Sequence, residues 1–123
     1  MHEDVLQLRD ELVETALEAL LDSGYQDVRT YGFEGFDEPE SVNGFMPELQ
    51  AKNRKNVLFI FDVVTKDFFA LPETAQRFKA FAEYADGHDV QFVIIVPEGE
   101  EGFASAFIED IEISGESIEI WEA

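Results

Sequence analysis

Apolar positions recur with helical spacing at the start of the chain. Across residues 4–22, Val5, Leu8, Leu12, Ala16 and Leu20 fall on one face, and Leu6, Val13, Leu17 and Leu21 widen it. Acidic residues fill the opposite side. The segment therefore predicts an amphipathic helix, with Gly24 as its C-terminal stop. Val28, Thr30 and Tyr31 in residues 26–31 predict a short strand. Residues 32–44 mix Gly32, Gly35, Pro39 and Gly44 with acids and predict a loop. Phe45, Pro47 and Leu49 then alternate with Met46, Glu48 and Gln50, the period of a strand. Pro47 puts that strand at an edge, at a bulge or at its own beginning.

After a polar turn over residues 53–56, residues 57–64 form the strongest strand pattern. They are apolar on both faces except for Asp62, as in a central strand. Residues 71–85 predict a second helix, with Pro72 in its first turn. Its apolar face is Leu71, Ala75, Phe78, Phe81, Ala82 and Ala85, and Asp86-Gly87 is its expected end. Phe68-Phe69 just before it reads as core or hinge packing, with a partner-binding aromatic patch as the alternative. Residues 90–96 predict a second buried strand, stopped by Pro97, and residues 103–109 a short helix. Ser114-Gly115-Glu116 turns into a terminal strand holding Ile118, Ile120 and Trp121. The order α-β-β-β-α-β-(α)-β predicts an α/β (mixed α+β) fold with a central mixed sheet and helices on both faces.

Length and composition narrow the picture. At 123 residues the chain is expected to be one domain, 1–123, and 46% apolar content with 12 Phe supports a packed core. The 28 acids against 8 basic residues give a net charge of -20. Such a surface repels phosphates over about 8–10 Å, which argues against a general nucleic-acid coat. The absence of cysteine excludes a disulfide framework and a thiol nucleophile. The acidic N-terminus lacks a signal-peptide pattern and no apolar run could span a membrane. A soluble cytoplasmic protein is the expectation. The acid is uneven: six of the eight basic residues lie between positions 52 and 79. Within that segment, Lys52, Arg54 and Lys55 make a small basic turn, either a phosphate or acidic-partner contact or a balance for neighbouring acids.

Two acids stand where adjacent strands would bring them together: Glu48 after Pro47, and Asp62 within Phe59-Ile60-Phe61-Asp62-Val63-Val64. Paired carboxylates are hard oxygen ligands suited to Mg²⁺, which can position water and stabilise phosphoryl displacement. For Asp62 a backbone-bonded or strand-end acid, a remnant of such a site and a working ligand all remain open. His2 and His88 form no metal motif.

The run Phe45-Met46-Pro47-Glu48, then Phe61-Asp62-Val63-Val64, then a helix and an apolar strand, resembles the PD-(D/E)XK nuclease-like (restriction-endonuclease-like) superfamily. The resemblance covers roughly residues 5–97 and implies an α-β-β-β-α-β core. It also implies metal-binding roles for Glu48 and Asp62. The family's lysine would fall at position 64, where this chain has Val64, and a valine cannot stabilise developing negative charge. Lys52, which shares strand parity with Glu48, is the candidate replacement in the catalytic set, and Lys66 is the alternative. The helix acid of many members would fall at Val13, and the neighbouring Glu14 is turned about 100° away.

The resulting expectation is a non-catalytic PD-(D/E)XK-like domain that acts by binding another protein, with no cofactor. The alternatives are a divergent Mg²⁺-dependent nuclease, which alone would engage nucleic acid, and an acidic inhibitor or immunity-type protein that covers a basic partner.

Overall fold

The computed structural model describes residues 3–113 and 117–123, with side chains from residue 7 onward. The expectations for His2, for the Val5 and Leu6 side chains and for the turn Ser114-Gly115-Glu116 lie outside those residues. The elements are α1 (Glu3–Asp22), β1 (Gln26–Thr30), β2 (Leu49–Lys52), β3 (Leu58–Val63), a 3-10 turn (Lys66–Ala70), α2 (Pro72–His88), β4 (Gln91–Val96), α3 (Glu101–Asp110) and β5 (Ile118–Glu122). One five-stranded sheet runs in the order β1-β2-β3-β4-β5. The pairs β1–β2 and β2–β3 are antiparallel, and β3–β4 and β4–β5 are parallel. The mixed sheet with helices on both faces is as the periodicity predicts.

The alternation of β3 divides the core into two layers. Phe59, Phe61 and Val63 turn to α1, where they join Leu12, Val13, Ala16, Leu17 and Leu20. Ile60 and Val64 turn the other way, toward Phe78, Phe81 and Ala85 of α2 and Ala104 of α3. Asp62 shares the parity of Ile60 and Val64, so it is the one charged side chain that β3 sends beneath α2. Phe78 and Phe81 meet Phe92 of β4 edge-on, with ring centres 5.5 and 5.4 Å apart. Each such fully buried apolar side chain contributes about 1.5–3 kcal/mol.

Several details differ from the sequence expectation, among them Leu71, which precedes α2 and is exposed. The strand predicted from Phe45 begins only at Leu49. Pro47 has no N–H to donate to a ladder, and the residues before Glu48 instead form a small bridge between Val42 and Phe45. α2 runs through Asp86-Gly87 to His88, and the left-handed residue that stops it is Asp89 (φ 54°). His88 is held on the helix by a Tyr84 carbonyl, 2.9 Å away, which keeps the last turn intact. On α1, Leu8 and Leu21 are exposed rather than buried. A helix of 20 residues spans about 30 Å and outruns strands of four to six residues.

Candidate functional site

At the C-terminal end of β3, the first turns of α2 and the N-terminal half of α1 enclose a cleft of about 110 Å³. Arg9, Glu48, Asp62, Phe68, Thr74 and Arg77 line it. The two acids singled out from sequence do converge there. Asp62 arrives on β3 and is 1% exposed. Glu48 is carried by the β2–β3 register, with its N–H donating to the Phe61 carbonyl at 3.0 Å.

Each carboxylate has a guanidinium partner. Arg77 stands on the buried stripe of α2, one turn from Thr74 and from Phe81. Its Nη2 donates to Asp62 Oδ1 at 2.6 Å and its Nε to Asp62 Oδ2 at 3.1 Å. The same Nη2 donates to the Met46 carbonyl at 2.8 Å. Arg77 also lies over the Phe81 ring at 5.2 Å and the Phe45 ring at 6.0 Å. One side chain thus ties α2 to β3 and to the segment that carries Glu48. Arg9 reaches down from α1, with Nη1 3.4 Å from Glu48 Oε1 and its guanidinium 5.2 Å above Phe68. The Phe68-Phe69 pair is therefore packing, as its placement before α2 suggests: Phe68 is buried, and Phe69 rests on Phe78 and Phe107.

The electrostatics follow from this closeness. Burial pushes the Asp62 carboxyl above its ordinary range, and the Arg77 fork pulls against it. Burial also pushes Glu48 up, and the nearby Asp62 charge adds to the effect, while Arg9 and Arg77 oppose it. Burial works against the Arg77 charge, but the bond and attraction to Asp62 outweigh it, so Arg77 is held more firmly protonated than usual.

Neither lysine proposed from sequence lines the cleft. Lys52 pairs with Leu58 at the opposite end of β3. Four residues along a strand separate it from Glu48, about 13 Å. Lys66 begins the 3-10 turn, where its N–H donates to Glu100 at 2.7 Å and its ammonium lies over Phe103 at 6.0 Å, toward α3. Val64 is buried in the core. Val13 is likewise buried under the sheet and Glu14 is exposed, so α1 sends no acid into the cleft from that position. What α1 does send is Arg9.

The arginines were the residues that sequence reasoning missed. The signal was present: Arg9 and Arg77 are basic residues set close to the apolar stripes of α1 and α2 in a chain otherwise dominated by acids. The basic turn, by contrast, belongs to the β2–β3 connection, where Asn53 Oδ1 accepts from the Lys55 and Val57 N–H groups. It lies at the far end of the sheet from the cleft.

Guanidinium groups already pair with the acidic donors of the cleft. Both Asp62 oxygens already accept from one guanidinium, and Glu48 faces another. Among the described residues no three His, Asp or Glu side chains gather in a ligating group. The cleft is a pairing of two carboxylates with two guanidinium groups, bordered by Glu73. Comparison with family models, curated proteins and solved structures finds no match for this chain.

Proposed function

We propose that the chain is a non-catalytic domain of the PD-(D/E)XK-like kind that works by binding another protein. The carrying observation is the Arg77 fork on Asp62. The guanidinium hydrogen-bonds each oxygen of Asp62, and its charge balances the buried carboxylate without a metal. Supporting this reading are the α-β-β-β-α-β order of the first elements, the convergence of Glu48 with Asp62, and the buried Val64 where the family's lysine would stand. The placement of the basic turn at the far end of the sheet from the two acids also supports this reading. A net charge of -20 favours a basic protein surface as the partner.

The test is direct. Purified protein is incubated with supercoiled DNA, single-stranded DNA and RNA in Mg²⁺ or Mn²⁺, and metal binding is followed by calorimetry. No cleavage and no binding heat at millimolar metal are expected. Metal-dependent cutting that disappears in Asp62→Ala would overturn the proposal and restore the nuclease reading.

A further inference from the structure

β5 closes one side of the sheet, and among the described residues it pairs with β4 alone. The bonds at its two ends reveal its orientation. Phe92 N–H donates to the Ser117 carbonyl at 2.7 Å, and Ala123 N–H donates to the Val96 carbonyl at 2.9 Å. In a parallel ladder the peptide groups of alternate residues face the same neighbour. Those of residues 117, 119, 121 and 123 therefore face β4, and those of Ile118, Ile120 and Glu122 face outward. The strand has no proline, no lysine and no break in register to blunt that edge.

Both faces beside the edge are apolar grooves. On the α1 side, Ala16, Ala19, Leu20, Tyr25, Ile95 and Trp121 line a groove of about 430 Å³. On the α3 side, Ile108, Ile113, Ile118 and Ile120 line one of about 360 Å³. The layer geometry explains the first groove: α1 packs over β1, β2 and β3 and leaves the β4–β5 side of that face partly open. A strand laid beside β5 would alternate its side chains into the two grooves while its backbone completed the ladder.

Charge selects the occupant. Glu119 pairs with Val93, so it projects from the α1 face of the sheet, and after burial its charge pushes up the hydroxyl of Tyr25, which lines the groove on that side. Glu101 and Glu109 line the α3-side groove. Glu122 is already engaged, because its Oε2 accepts from the Gly99 and Glu101 N–H groups at 2.7 and 3.3 Å. A second copy would bring another chain of charge -20 to this edge, which like-charge repulsion opposes.

We propose that the open edge of β5 is a docking strand for an extended, apolar segment of another protein flanked by lysine or arginine. The surface shares no lining residue with the Glu48–Asp62 cleft, so it goes beyond the reading of that cleft and stands or falls separately from it.

The probe is a fluorescein-labelled peptide with a Val/Ile/Thr centre and two lysines at each end, titrated at low salt against the full chain. Three comparisons accompany it: a peptide with alternate backbone amides N-methylated, a peptide with glutamates for lysines, and the Glu119→Lys protein. Binding is expected to weaken with salt, and to fall by about tenfold or more with the N-methylated and glutamate peptides. It should fall several-fold in Glu119→Lys. Amide exchange of Ile118, Ile120 and Glu122 should slow in the complex. No binding up to about 1 mM peptide overturns the proposal. So does equal binding of the N-methylated or glutamate peptide, protection confined to other segments, or a self-dimer that protects this edge without peptide.

Discussion

Arg77 grips both oxygens of Asp62, at 2.6 and 3.1 Å, beside a core built from phenylalanine, branched aliphatic and alanine side chains. Desolvating two charges is costly, so the pair need not make the fold more stable than an apolar pair would. Removing one partner is different, because it strands the other. Arg77→Leu is expected to cost about 3–5 kcal/mol in urea unfolding, since it leaves Asp62 buried without its guanidinium. The double variant Asp62→Leu with Arg77→Leu should recover most of that loss. A single-variant cost below about 1 kcal/mol would mean that Asp62 is satisfied without Arg77.

The acids of the cleft set a pH dependence with a definite sign. Burial, reinforced by Asp62, raises the folded Glu48 above its ordinary 4.5. The folded chain then holds this proton more tightly than the unfolded chain. Its contribution is fully present below 4.5 and is lost as pH climbs through the raised value. Relative to Glu48→Gln, the wild-type protein should therefore gain stability as pH falls from neutral into that window. Denaturant midpoints of the two proteins across a pH series check it. A difference that moves the other way would place Glu48 as an ordinary salt-bridged carboxylate.

Much of the fold was legible because its local signals agree with its tertiary environment. β3 reads as central and is flanked on both sides, and the helical stripe of Leu12, Ala16 and Leu20 is the one that α1 buries. Glu48 and Asp62 could be paired because strand parity and a short hairpin carry that information. Their partners could not be paired with them in the same way. Arg9 and Arg77 reach the cleft from two helices on opposite faces, and no spacing rule links position 9 to 48 or 77 to 62. Parity also misled. Lys52 is on the same face as Glu48, but parity says nothing about distance along the strand, and Lys52 lies four residues away.

The charge of -20 should make stability depend on salt. Exposed acids repel one another in the compact state, and the screening length falls from about 30 Å at 0.01 M salt to about 10 Å at 0.1 M. The buried Arg77–Asp62 pair is screened much less, so screening mainly relieves the surface repulsion. The thermal midpoint is expected to rise steadily with NaCl over that range. Trp121 gives a convenient signal, because its ring packs 5.5 Å from Phe61 and leaves that contact on unfolding. A midpoint that falls with salt would show that favourable surface pairs outweigh repulsion.

The left-handed residues at the ends of α1 and α2 predict opposite outcomes for opposite changes. Gly24 follows α1 with φ +83°, and a Cβ there would stand 2.7 Å from Arg54 Nε. Gly24→Ala must both strain the backbone and displace the Arg54 side chain, so a loss of about 1–2 kcal/mol is expected. Asp89 ends α2 at φ 54°, where its N–H donates to the Ala85 carbonyl. Glycine has no steric cost in that conformation and removes an acid from the negative end of a helix dipole. Asp89→Gly should therefore stabilise, by some tenths of a kcal/mol up to about 1. Urea unfolding of both variants beside the wild type decides the matter. Stabilisation by Gly24→Ala, or clear destabilisation by Asp89→Gly, would show that these ends are not held by left-handed caps in solution.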